Sequence, residues 1–82
     1  MTGEAPFVLA LDLGTSSTRA MVFDATGREL PETKSQLAHT LRTDSDGTAE
    51  FSPQQILREV EECLDTTLRA CGQPVAAVAI SQ

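Results

Sequence analysis

The stretch Leu9 to Phe23, reading LALDLGTSSTRAMVF, confines this chain more than any other part of it. Phe7 to Leu13 is an almost unbroken apolar run, the pattern of a strand buried on both faces, and Asp12 is its single charge. A lone buried carboxylate is costly unless it is paired, hydrogen-bonded or close to a metal. Gly14 follows without a Cβ, so the chain can turn tightly, adopt a left-handed backbone and let another group approach closely. Thr15, Ser16, Ser17 and Thr18 then offer hydroxyls and backbone N–H groups, and a second strand from Arg19 to Asp24 leads away. The element predicted is an antiparallel hairpin whose tip is lined with hydrogen-bond donors.

Such a tip suits the phosphates of a magnesium-bound nucleotide. Backbone N–H groups in a tight turn form a concave cradle for anionic oxygens, Asp12 can orient magnesium through its waters, and Arg19 can add positive charge. No lysine lies near the tip and no GxxxxGK[ST] pattern occurs, so this is not a P-loop. A plainer reading also accounts for a D-x-G-T pattern, with Asp12 capping a turn that Gly14 permits. Two features favour the phosphate reading: the hydroxyl run continues into an arginine, and an Asp24-Ala25-Thr26-Gly27 turn closes a further hairpin onto Arg28 to Leu30.

Further along, a third antiparallel strand is expected around Ser35 to Leu41, after a kink at Pro31. His39 lies in it, and a lone histidine on an edge strand reads as solvated. Thr43 to Thr48 reads as an acidic turn, whose D-x-D-G lacks the later ligands of a calcium loop. A helix follows. Ser52 is a suitable N-cap, Pro53 fits the first helical position and Gln55 completes a capping box. Ile56, Leu57, Val60, Cys63, Leu64, Thr67, Leu68 and Cys71 recur at helical spacing as one apolar stripe, while Glu59, Glu61, Glu62 and Asp65 read as a solvated face. Gly72 and Pro74 stop the helix. Val75 to Ile80, apolar on both faces, reads as a parallel strand beside the first, joined by a right-handed crossover.

The net charge of −6 excludes the basic patches that nucleic acid or an anionic membrane demands, so neither is expected as a partner. It does not exclude a nucleotide, which is bound by local dipoles and its own magnesium. MTGEAP lacks the features of a signal peptide and no apolar run reaches membrane-span length, which makes a cytoplasmic location the expectation. Cys63 and Cys71 would lie about 12 Å apart on one helix, too far for a disulfide, and read as small hydrophobes of its apolar face. At 82 residues the chain is one small domain at most.

ALDLGTSSTRAMVFDATGREL resembles the first phosphate-binding hairpin of the FGGY carbohydrate kinases, which belong to the actin-like ATPase superfamily. The resemblance covers nearly the whole chain. Where the family commonly carries G-W-x-E-x-D-P before its first long helix, DGTAEFSP supplies Gly47, Glu50 and Pro53, with Thr48 and Ser52 in place of the tryptophan and aspartate. VAAVAISQ resembles the strand that leads into the family's sugar-contacting loop, and GTSSTR with DGTAE favours a gluconate-kinase-like branch.

The resemblance implies that residues 1–82 are the N-terminal part of the first kinase domain and the start of a ribonuclease-H-like α/β fold. It implies a complete enzyme that transfers the γ-phosphoryl of ATP, with Mg2+, to a sugar or polyol, and that can form homo-oligomers. Asp12 would orient magnesium through water. Gly14, Thr15, Ser16 and Ser17 would contact the phosphates, and Arg19 would neutralise charge or hold the local geometry. The catalytic aspartate would come from later sequence, leaving no catalytic residue here, so the isolated chain is expected to be inactive; with the Val75 to Ile80 strand lacking its outer neighbour, it is also expected to be poorly folded or self-associating. Two other readings fit the same residues: a non-catalytic nucleotide-binding module of the superfamily, and an inert truncated fragment.

Overall fold

The computed structural model describes residues 3–39, 42–43, 49–50 and 53–82. Along the chain run β1 (Phe7–Leu13), β2 (Ser17–Phe23), β3 (Glu29–Ala38), the short β4 (Arg42–Thr43) and β5 (Ala49–Glu50), α1 (Pro53–Cys71) and β6 (Val75–Ser81). One sheet has the order β3-β2-β1-β6, and β4 pairs with β5 separately. β1, β2 and β3 pair antiparallel in succession, while β6 runs parallel to β1. This is the mixed α/β arrangement expected from the sequence. The Ser52 cap, the acidic turn at 44–48 and the end of the third strand at Leu41 lie outside the described residues.

The core sits between the sheet and α1. Phe7, Leu9 and Leu11 of β1 alternate into it and meet Ala20, Val22 and Leu30 from the sheet, with Cys63 and Cys71 from the helix. The alternation corrects the reading of β1 as buried on both faces: Val8, Ala10 and Asp12, on the other face, are only half-buried. The helix ends where the sequence stops it, Gly72 taking a φ of +66° and donating its N–H to the Leu68 carbonyl at 3.1 Å. Both cysteines are free and buried.

α1 packs over β2 and β3. That offset leaves Leu57 and Leu68 of the expected stripe 58% and 41% exposed, and Val78 and Ile80 of β6 50% and 63% exposed. β6 is therefore an edge strand among the described residues, and the apolar surface that reads as a central strand is uncovered there.

β3 departs from the sequence reading. It runs unbroken through Pro31, with a register shift in which Ala20 faces Ser35 but Val22 faces Leu30. Pro31 has no N–H to give, so it is tolerated at this irregularity. Thr33 repairs the ladder: the Val22 N–H donates to Thr33 Oγ1 at 2.9 Å, and the Thr33 hydroxyl donates to the Leu30 carbonyl at 2.7 Å. From the helix, Thr67 donates to the Thr33 carbonyl at 2.7 Å, and Ser35 donates to the Cys63 carbonyl at 3.0 Å. The threonine in the apolar stripe thus satisfies a backbone group that the bulge leaves open.

Two threonines of the same core should respond oppositely to one substitution. Thr33→Val strands the buried Val22 N–H and is expected to cost about 1–3 kcal/mol. Thr18 is also fully buried, but its Oγ1 has no partner among the described residues. Thr18→Val removes that orphan at constant shape, so stability should hold or rise by up to about 1 kcal/mol. Denaturation midpoints of the two variants, compared under identical conditions, check the contrast. Equal losses would contradict it.

Asp24 belongs to the β2–β3 turn and not to β2. Its Oδ1 accepts from the Thr26 N–H and hydroxyl and from the Arg28 N–H, at 2.9, 2.6 and 3.0 Å, and Gly27 takes a φ of +82°.

Candidate functional site

β1 and β2 bring the predicted residues together at one end of the sheet. The tip is shorter than the four hydroxyls suggested, because β2 begins at Ser17 and Thr18 is buried in the core. Gly14 closes the turn by donating its N–H to the Ser17 carbonyl at 2.9 Å. Its φ is not left-handed, contrary to expectation. Glycine is needed for close approach instead, since a Cβ there would lie 3.2 Å from that same Ser17 oxygen.

Thr15 and Ser16 are exposed, and among the described residues neither their N–H groups nor their hydroxyls are engaged in a hydrogen bond. Ser17 is half-buried and its hydroxyl accepts from Gln36 Nε2 at 3.2 Å. The turn therefore offers uncommitted donors at Thr15 and Ser16, which is the chemistry an anionic oxygen requires.

Asp12 stands opposite Arg19 in the register. Arg19 Nη2 donates to Asp12 Oδ2 at 2.6 Å, and the Ser81 hydroxyl donates to Oδ1 at 3.0 Å from β6. The carboxylate is neither lone nor deeply buried, its side chain being 39% exposed. The Arg19 hydrogen bond, then that of Ser81, hold its carboxyl below the usual carboxylate range against the opposing effect of desolvation. Asp12 is thus anionic at neutral pH. Arg19 turns toward Asp12, with Nη2 committed to the carboxylate. Ser81 was not singled out in the sequence; its place in the site follows from the parallel pairing of Asp12 with Ser81.

His39 and Glu59 overturn their sequence readings. His39 follows β3 directly and its side chain is 5% exposed. Nδ1 lies 2.7 Å from Glu59 Oε2 on α1, and Nε2 lies 3.0 Å from the Gly14 carbonyl. The backbone N–H of His39 donates to the Ser16 carbonyl at 2.8 Å. Glu59, read as part of a solvated face, has a side chain only 12% exposed. The Glu59 carboxylate raises the His39 pKa most, the Gly14 carbonyl adds to it, and burial opposes both.

A folded pKa above the unfolded value means that this contribution to stability is full below about pH 6.5 and is lost as pH rises through the folded value. The thermal midpoint of the wild type should accordingly fall on going from mildly acidic to mildly alkaline buffer. The same melts on His39→Gln should show a smaller fall; an identical fall would refute the assignment.

Asp12 with the tip fits a magnesium nucleotide in its donor set. Asp12 is the carboxylate that would hold the ion, through water beside the phosphates; no group of three or more His, Cys, Asp or Glu side chains converges among the described residues. No helix is long and apolar enough to cross a membrane among the described residues.

Residues 7–82 match the N-terminal domain of the FGGY family of carbohydrate kinases. The chain is 36% identical over 80 residues to a glycerol kinase of Roseiflexus sp. (strain RS-1), an overlap of 94% of this chain and 16% of that protein. Identity is 34% over 82 residues to a glycerol kinase of Rhodospirillum centenum, covering 96% of this chain and 16% of the relative. It is 28% over 78 residues to an autoinducer-2 kinase of Salmonella paratyphi A, covering 95% and 15%. The chain thus spans about 16% of the length of the glycerol kinases it matches.

Proposed function

The chain belongs to the FGGY family of carbohydrate kinases, and from that premise we propose that it supplies the first phosphate-binding hairpin of an enzyme transferring the γ-phosphoryl group of MgATP to a sugar or polyol hydroxyl. The carrying observation is the combination of uncommitted N–H and hydroxyl groups on the exposed Thr15 and Ser16 with the anionic Asp12 near the end of β1, in the same hairpin. In this reading Thr15 and Ser16 donate to phosphate oxygens, and Ser17 fixes the turn through its carbonyl. Arg19 and Ser81 hold the Asp12 carboxylate, which orients the waters of the magnesium ion. Magnesium, when bound, supplies neutralisation of phosphate charge. The work of these residues is positioning and electrostatics, as phosphoryl transfer requires.

No residue of this chain is assigned as the base that accepts the hydroxyl proton. The acceptor is a sugar or polyol, and a cytoplasmic location is part of the proposal. The relatives are named for glycerol and for autoinducer-2, whereas GTSSTR and DGTAE favour gluconate, so the acceptor panel must include both glycerol and gluconate. ADP release by the full-length protein, measured with MgATP and that panel, should depend on one acceptor. Tight MgATP binding with no acceptor-dependent release across a broad panel of sugars and polyols would instead identify a non-catalytic nucleotide-binding module.

A further inference from the structure

We infer that His39 is a positioning residue for the phosphate-contacting turn, fixing the direction of the Thr15 N–H by holding the Gly14 carbonyl against the helix. The inference rests on the phosphate-binding reading of the tip. Antiparallel pairing of Ser17 with Ala38 carries the chain from the end of β3 directly to the turn, so that residue 39 falls beside Ser16. There the backbone N–H of His39 takes the Ser16 carbonyl, and its ring takes the Gly14 carbonyl. Two carbonyls of the tip therefore point to one residue.

The peptide between Gly14 and Thr15 is trans and planar, so its C=O and N–H point in opposite directions. Fixing the Gly14 oxygen on His39 sets the Thr15 N–H facing away from it, and that N–H is one of the uncommitted donors of the tip. The ring is itself anchored. The Gly14 carbonyl oxygen can only accept, so Nε2 donates to it, while Nδ1 is held at 2.7 Å by Glu59 Oε2, which fixes the plane of the ring. Gln55 Nε2 donates to the other Glu59 oxygen at 3.4 Å. The turn is thereby tied to α1, which is itself packed on β2 and β3. Neither His39 nor Glu59 needs to touch a phosphate for this to matter, because a rigid donor loses no orientational freedom when the nucleotide binds.

Two conservative variants separate positioning from plain stability. A glutamine amide reaches about as far as Nε2 and can still donate to Gly14; an asparagine amide reaches only as far as Nδ1 and can serve Glu59 but not the turn. Affinity for MgATP is read by calorimetry on the full-length protein, alongside the KM of the acceptor. His39→Asn should weaken MgATP by about tenfold, the loss of one hydrogen bond. His39→Gln should recover most of that loss, and the acceptor KM should stay unchanged in both. If His39→Asn does not fold, Glu59→Ala, which leaves the ring in place without its carboxylate, should weaken MgATP in the same direction. Wild-type MgATP affinity in the Asn variant, or equal weakening by Asn and Gln, would overturn the inference. Should the wild type itself bind no MgATP, the phosphate-binding reading fails first, so the two failures are distinguishable.

Discussion

Asp12→Asn is expected to reduce the proposed phosphoryl transfer by roughly a hundredfold or more. The substitution keeps the side chain's size and removes its charge. Asp12 uses one oxygen for Arg19 and the other for Ser81. An asparagine keeps its one acceptor oxygen for Arg19 and can turn its NH2 to donate to the Ser81 hydroxyl oxygen, so both contacts can persist while the charge is lost. The remaining group is neutral and would orient a bound magnesium ion less firmly where charge develops in the transition state. Stability should change little, because the Arg19 pair is exposed and such pairs contribute modestly. Acceptor affinity, measured by calorimetry without nucleotide, should also be nearly unchanged, since the proposed role of Asp12 is toward the nucleotide. Normal turnover in the variant would remove Asp12 from the site. So would a variant that lost acceptor binding while still binding MgATP.

Gly14→Val should weaken MgATP by about a hundredfold while the secondary-structure content of the protein is kept, and Gly14→Ala by about tenfold. The physical cause is local. The first carbon added at Gly14 meets the Ser17 carbonyl at 3.2 Å, and that oxygen is the acceptor of the Gly14 N–H. An alanine forces the turn to open by a few tenths of an ångström, and the branched valine forces more. Opening moves the Thr15 and Ser16 donors away from a common phosphate. Because φ at Gly14 is not left-handed, backbone strain adds nothing to this cost. Unchanged nucleotide affinity in Gly14→Val would exclude the turn from phosphate binding altogether.

What could be read from the sequence was what depends on local pattern. The β1–β2 hairpin, the body of α1 from Pro53, and the Gly72 stop each rest on residues adjacent or one helical turn apart. The acid, the glycine and the hydroxyls of the site follow from the same adjacency. Pro31 misled because a proline missing an N–H reads as a break, whereas here a register shift and the Thr33 hydroxyl absorb it. The His39–Glu59 pair was illegible for a different reason. Its members are separated along the chain and become neighbours only when α1 docks on β3. A signal did exist in the pairing of β2 with β3: once Ser17 faces Ala38, residue 39 must lie beside the tip. Ser81 was hidden in the same way, reaching Asp12 only through the parallel register of β1 and β6. The apolar sequence of β6 was legible, but its burial was not, since that depends on what lies against Val78 and Ile80.

Amide hydrogen exchange across the tip, followed by mass spectrometry of the full-length protein with and without MgATP, tests the phosphate-binding assignment most directly. Thr15 and Ser16 are exposed residues whose N–H groups have no partner among the described residues, so both should exchange fast in the free protein. Saturating MgATP should slow exchange in a peptide spanning residues 13–18 by up to two amides, with little change in peptides from α1. Exchange across 13–18 that is unaltered while calorimetry shows the nucleotide bound would contradict the assignment.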